Sequence, residues 1–294
     1  MKTIPEACVN LPRVTLTPSR TIVQCFQIEV GNRLVRQLLD EGCFEPTNLL
    51  RLKICDEDEQ RIYSNHLNNE LVARVRAVLT EGLHVNGVCY RFLAYSSSQL
   101  RELSVWMVHL PDQWSVRRIR GSLGNLAGLT APKFAARMGL CLSTTLKTLK
   151  DEEDEDETRK VVSGSEIMHT VIDEIVSLNN GENYIHSDGT GIVRPEIMEE
   201  LLKYVPYAIP SEVSIIQIRY GGAKGTMTVY DPAQVPHLQA KDPADVYLRP
   251  SMIKFDAPYR FLEVCRVGTA VPYYLNRSVI MLLCARGVDR SVFL

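Results

Sequence analysis

Alternating and helically spaced apolar positions divide the chain into short strands and short helices. In the stretch Val213–Thr226, VSIIQIRYGGAKGT, the residues Val213, Ile215, Ile216 and Ile218 predict a strand that ends in the turn Gly221-Gly222. Within residues 13–36, RVTLTPSRTIVQCFQIEV reads as β-rich and broken at Thr17-Pro18-Ser19. NRLVRQLL then predicts a helix with Asn32 as N-cap and Leu34, Val35, Leu38 and Leu39 on its apolar face. Leu49–Ile54 predicts a strand with Arg51 and Lys53 on its other face. Asn69–Leu79 has helical spacing at Leu71, Val75, Val78 and Leu79, and a turn at Asn86-Gly87 leads into the strand VCYRFLAY. The pattern also predicts helices over Lys133–Lys150 and over Ser165–Leu178, the second with Ile167, Met168, Val171, Ile172 and Ile175 apolar. Tyr184–Val193 reads as two short strands around the Asp188-Gly189 turn. Pro195 opens a helix whose first turn carries Glu196, FLEVCRV is a strand, and Asn276 starts a last helix that ends at Gly287.

Composition adds bounds. The chain has 294 residues, 45% hydrophobic and 23% charged, enough for one large domain or two ordinary ones. Its most apolar stretch, Val279–Ala285, is closed by Arg286 and is too short to span a membrane. MKTIPEACVNLPRV lacks the apolar core of a signal peptide. Eight scattered cysteines without CxxC spacing imply reduced thiols and a cytoplasmic or nuclear protein, not a zinc site. The net charge of −2 conceals an uneven distribution. Asp151–Glu157 (DEEDEDE) holds seven of 35 acidic residues, and without them 33 basic residues face 28 acidic ones, a balance of +5. That run has the composition of a solvated loop and marks a boundary between residues 1–150 and 165–294, with 151–164 as the acidic segment.

Several groups could carry chemistry. Arg219 and Lys224 flank the three glycines Gly221, Gly222 and Gly225, a composition suited to a backbone that approaches phosphate. The same residues also suit a plain β-hairpin with solvated cations. Arg117, Arg118 and Arg120 in VRRIRG either contact phosphate or form a solvated face. Asp56-Glu57-Asp58-Glu59 fan apart on any regular backbone and read as a solvated loop. Ser96-Ser97-Ser98 lacks a nucleophile elbow and reads as a helix cap. His186 and Asp188 are two potential ligands, too few for a metal site.

Taken in order, the segments TPSR with EVGNRLVR, RLKICDED, FLAYSSSQLRE, KFAARMGLCLSTT, SDGTGIV, QIRYGGAKG, RPSMIKF and LNRSVIMLL give the chain a distributed similarity. It resembles the cellular RNA-dependent RNA polymerases of eukaryotic RNA silencing. The resemblance implies an α+β chain containing the N-terminal part of a two-barrel, double-psi β-barrel polymerase core. It implies that Lys224 in YGGAKG and Lys254 in RPSMIKF face the nucleotide and neutralise its phosphates, with Arg219 and Arg249 in support.

The family's Asp-x-Asp-Gly-Asp loop is absent from the sequence, so Mg2+ ligands are expected outside this chain. The expected partners are an RNA template, nucleoside triphosphates and the C-terminal half of the core, with no membrane. The chain thus reads as the front part of an RNA-directed RNA polymerase, inactive alone: a truncated reading, a fragment or a degenerate relative. The alternative is a non-catalytic RNA- or nucleotide-binding module, or a remnant acting by protein interaction. Open barrel edges and exposed apolar surface are expected in either case.

Overall fold

The computed structural model describes residues 8–40, 42–63, 69–147, 167–179, 181–203, 205, 213–230, 244–259, 261–269 and 274–293. The acidic run and the boundary drawn at it lie outside the described residues. The N-terminal strands β1 (Cys8–Leu16) and β2 (Thr21–Val30) form an antiparallel hairpin whose turn is the predicted break at Thr17-Pro18-Ser19. Glu57 holds that turn, accepting from Thr17 Oγ1 at 3.0 Å and pairing with Arg20 at 3.1 Å. The acids around it serve the local backbone: Asp56 accepts from the amides of Asp58 and Gln60.

With β3 (Leu49–Ile54), β4 (Leu83–Val85), β5 (Val88–Ala94) and β6 (Ser104–Val108), these strands form a six-stranded sheet in the order β2-β1-β3-β6-β5-β4. Both faces are covered. Along β3, Leu49 packs under α1 (Arg33–Asp40), while Leu50 and Leu52 meet the helix α2 (Asn69–Glu81) side through Val75, Val78 and Leu79. Arg51, on the other face from Leu50 and Leu52, is therefore buried as well. Its guanidinium lies 4.9 Å from the Trp106 ring and donates to Ser104 Oγ at 2.9 Å, which lets a cation sit inside the sheet packing. Ser96 caps α3 (Ser97–Arg101) through a reciprocal capping box with Gln99.

Two helical expectations give way. The segment from Lys133 is helical only as far as Met138: after α4 (Val116–Ser122) comes α5 (Ala131–Met138), then a 3-10 turn at Gly139–Leu142, then the short strand β7 (Leu146–Lys147). Gly139 packs against the backbone of Tyr95 and Ser96, and Thr144 and Thr145 are β-branched, so the helix stops early. In place of a helix up to Leu178 stand β8 (His169–Val171) and β9 (Val176–Asn179). Val171, Ile172, Ile175 and Val176 fit helical spacing, yet their branching favours strands, and β8 gains a parallel partner in β14 (Val246–Leu248). The predicted hairpin of 184–193 also divides. Its turn is present, but β10 (Glu182–Ile185) pairs with β9, and β11 (Thr190–Val193) lies parallel to β13 (Ala223–Val229).

The second sheet, β7-β15-β12-β13-β11-β14-β8, is seven-stranded and mixed. It contains the predicted strands β12 (Ile215–Tyr220) and β15 (Leu262–Val267), and α6 (Pro195–Leu202) buries Met198 and Leu201 against it. The last helix, α7 (Arg277–Ala285), is capped by Asn276 as predicted but buries no residue; Met281 and Leu282 are 61% and 63% exposed.

A buried charge cluster joins the two sheets. Glu263 of β15, fully buried, pairs with Arg33 at 3.0 Å and with Arg36, both on α1, and accepts from Thr145 Oγ1 at 3.3 Å. Burial lowers the Arg33 pKa, but Glu263 together with Cys141 and Tyr259 makes the net shift upward. Removing one member of such a cluster strands the opposite charge. Glu263→Ala is expected to cost about 3–5 kcal/mol in chemical denaturation; a change within about 0.5 kcal/mol, the range of surface substitutions, would refute the joint.

Candidate functional site

The antiparallel pair β12 and β13 places Arg219 opposite Lys224 across the Gly221-Gly222 turn. Gly221 adopts a φ of +53°, which glycine accepts without penalty. Gly222 answers a different demand. A Cβ there would sit 1.6 Å from the Phe255 carbonyl oxygen, because the segment 253–256 crosses directly over the turn. Lys254 N donates to Gly222 O at 3.0 Å, and Ala223 bridges to Ile253. Gly225 is equally confined, since its Cβ would lie 2.4 Å from Gly189 O. These glycines are thus occupied in close packing of protein backbone, and the space a phosphate would need beside Gly222 and Gly225 is filled.

That packing brings the two motif lysines together. Lys224 is exposed on β13, and Lys254 is half-buried, its Nζ donating to Ser251 O. The Lys224 pKa is lowered, first by burial and then by the charges of Arg219, Lys254 and Arg137. Four cations from three separated segments therefore act on one place, and an anion arriving there relieves their repulsion.

Arg219 and Arg249 stand behind this surface. Arg219 is 8% exposed and donates to Ile218 O at 2.8 Å and Ser143 Oγ at 3.2 Å. Arg249 is 6% exposed and donates to Thr190 O at 2.9 Å and to Asp173 O. Glu174 completes the scaffold, accepting from Ser251 N at 2.7 Å and Ser187 Oγ at 2.6 Å. Burial pushes its pKa up, but these hydrogen bonds and Arg249 prevail and hold it below the usual range. The RPSMIKF segment is so fixed at both ends of the turn that presents Lys254.

The three arginines of VRRIRG separate. Arg118 stacks on Trp114 at 4.3 Å and donates to Gln113 O. Arg120 donates twice to Leu93 O, at 3.0 and 2.6 Å. Arg117 is exposed and lines an open cleft of about 670 Å3. His186 bonds Ser177 Oγ at 2.6 Å, and Asp188 is exposed. Burial pushes the thiols of Cys141 and Cys265 up to about 11, so both stay protonated near neutral pH and are poor nucleophiles.

Sequence reasoning overlooked Arg137, Arg33 and Arg36. Arg137 belongs to KFAARM, whose register against Lys224 is set by tertiary packing. Arg33 donates to Gly221 O as well as to Glu263, so the charge cluster also grips the turn.

Comparison with known proteins places this geometry in context. Residues 16–294 match the family model for RNA dependent RNA polymerase. The chain is 31% identical to RNA-dependent RNA polymerase 1 of Arabidopsis thaliana over 299 residues, covering 99% of this chain and 25% of that protein. It is 30% identical to the probable RNA-dependent RNA polymerase SHL2 of Oryza sativa subsp. japonica, covering 96% and 22% respectively. The chain therefore spans about a quarter of the length of these curated relatives. Among solved structures, RNA dependent RNA polymerase QDE-1 from Thielavia terrestris is similar with a TM-score of 0.65 at 19% identity, over 97% of this chain and 31% of that one. The shared fold is part of a double-psi β-barrel polymerase core.

The steric argument at the turn is directly testable. Gly222→Ala is expected to destabilise by at least about 1–3 kcal/mol, the usual cost of overpacking. Gly121→Ala, in α4 with open space around it, is expected to be neutral or to stabilise by roughly 0.5–1 kcal/mol. Thermal unfolding of both variants checks the contrast.

Proposed function

The chain belongs to the RNA-dependent RNA polymerase family, and on that premise we propose that it forms the cationic side of the nucleotide site in an RNA-directed RNA polymerase. In this reading the complete enzyme copies a single-stranded RNA template in RNA silencing, in the cytoplasm or the nucleus. The observation that carries it is the convergence of Lys224 and Lys254, locked by the Lys254 N to Gly222 O bond, with Arg219 and Arg137 beside them.

The reaction is attack of a 3′-hydroxyl on the α-phosphorus of a nucleoside triphosphate. A new P–O bond forms, the bond to pyrophosphate breaks, and negative charge gathers on the phosphoryl oxygens. In this reading Lys224 and Lys254 bind the triphosphate and neutralise that charge. Arg219 and Arg249, engaged with backbone carbonyls, hold these segments instead of reaching the nucleotide.

In this reading the metal chemistry lies elsewhere. Family membership implies divalent ions, Mg2+ in our reading, yet among the described residues no group of three or more His, Cys, Asp or Glu is placed to hold one. The ligands belong to another part of the polymerase core, which is the expected partner of this chain. That same observation favours a second reading, a binding module that holds nucleotide or RNA without turning it over. No helix among the described residues is long and apolar enough to cross a membrane.

Lys224→Ala and Lys254→Ala are expected to weaken binding of single-stranded RNA or triphosphate, each flattening the log–log salt dependence for RNA by about 0.7. Unchanged affinity and slope in both variants would remove the phosphate role. The 294-residue chain, supplied with template, nucleotides and Mg2+, is expected to make no RNA. Synthesis by the chain free of other polymerases would show that its metal ligands are internal.

A further inference from the structure

The open cleft beside Arg117 does not stand alone. Its walls are α4, the loop through Gly124 and Asn125, Phe134 of α5, and residues 256–258. A second, smaller cavity of about 150 Å3 adjoins it, lined by Phe92, Tyr95, Met138 and again by Arg120 and Phe134. The two spaces therefore share a wall made of one aromatic ring and one guanidinium. Arg120 is held rigid there, donating twice to Leu93 O with its guanidinium 5.6 Å from the Phe92 ring. The smaller space is aromatic and apolar, with room for a flat ring system; the larger is polar and open.

The cleft is also tied to the lysine site. Asn125 N donates to Asp256 O at 2.8 Å, and a Cβ on Gly124 would meet that same oxygen at 2.7 Å. The cleft floor is thus fixed to the segment that carries Lys254 two residues earlier. Phe134 lies one helical turn before Arg137, whose charge acts on Lys224. The cleft and the two lysines are thus borne by adjoining segments of the chain.

We propose that the paired cavities seat one nucleotide of single-stranded RNA on its way to or from Lys224 and Lys254, a site that extends the polymerase reading and rests on it. The base stacks in the smaller cavity against Phe134 and the planar guanidinium of Arg120. The phosphate lies in the larger cleft at Arg117, which is exposed and has no partner among the described residues. Asp256 also lines the cleft, and its carboxylate disfavours phosphate on that side.

The test uses the full chain and a fluorescein-labelled oligouridylate in titrations at several salt concentrations. Arg117→Ala, at an exposed position that cannot upset the core, is expected to weaken binding several-fold and to flatten the salt slope by about 0.7. Phe134→Ala is expected to weaken it about five- to a hundredfold with the slope unchanged, and Phe134→Tyr to restore it. With 5-iodouridine in the RNA, photocrosslinks are expected in the peptides that contain Phe92, Tyr95 or Phe134. Should Phe134→Ala fail to fold, Arg117→Ala and the crosslinks decide. Wild-type affinity in the Arg117 variant together with crosslinks confined elsewhere overturns the site. If Lys224→Ala still weakens binding in that case, the polymerase reading survives the loss; if it does not, both fall.

Discussion

A carboxylate with no access to water, Glu263, sets the arrangement on which the remaining structure depends. An unpaired charge in that position would be prohibitively costly, so the two arginines of α1 and the Thr145 hydroxyl must reach it. Meeting that demand fixes α1 of the six-stranded sheet against β15 of the seven-stranded one. Hydrophobic packing reinforces the joint, because Phe255 and Ala257 belong to the same core as Leu34, Leu38 and Trp106. The charges determine the register, and the apolar contacts supply the adhesion.

The same constraint reaches the surface that carries the two lysines through Arg33. By donating to both Glu263 and Gly221 O, it links the interior to the turn between β12 and β13. The turn in turn receives the Phe255 backbone over Gly222 and the Lys254 amide at Gly222 O. Two lysines separated by 30 residues of sequence are thereby held on one surface, and their mutual repulsion is stored in the fold until an anion relieves it. Preorganisation of this kind is what charge stabilisation in phosphoryl transfer requires, since the cations need no rearrangement when charge develops.

Much of this was legible in the sequence. Period-two alternation identified β3, β12 and β15, and the polar residues before apolar runs identified the caps at Ser96 and Asn276. The helices expected beyond Met138 and across Ser165–Leu178 were not found, because Val171, Ile172, Ile175 and Val176 satisfy both periodicities and a distant partner, β14, decided between them. Family resemblance supplied Lys224 and Lys254. The glycines around Lys224 suit both a phosphate cradle and a plain hairpin turn in one dimension, and the space beside Gly222 and Gly225 belongs to Phe255 and Gly189. Arg33 and Glu263 could not have been paired from sequence, as 230 residues separate them and neither lies in a pattern that announces burial.

If Lys224 and Lys254 form one anion site, their cations are crowded in the free protein. Isotopic labelling of the lysine side chains allows the Lys224 pKa to be followed by NMR, without and then with saturating nucleoside triphosphate. One anion site requires a value below that of an ordinary lysine in the free chain and a rise when the triphosphate binds. An ordinary value that does not respond to bound triphosphate would contradict it.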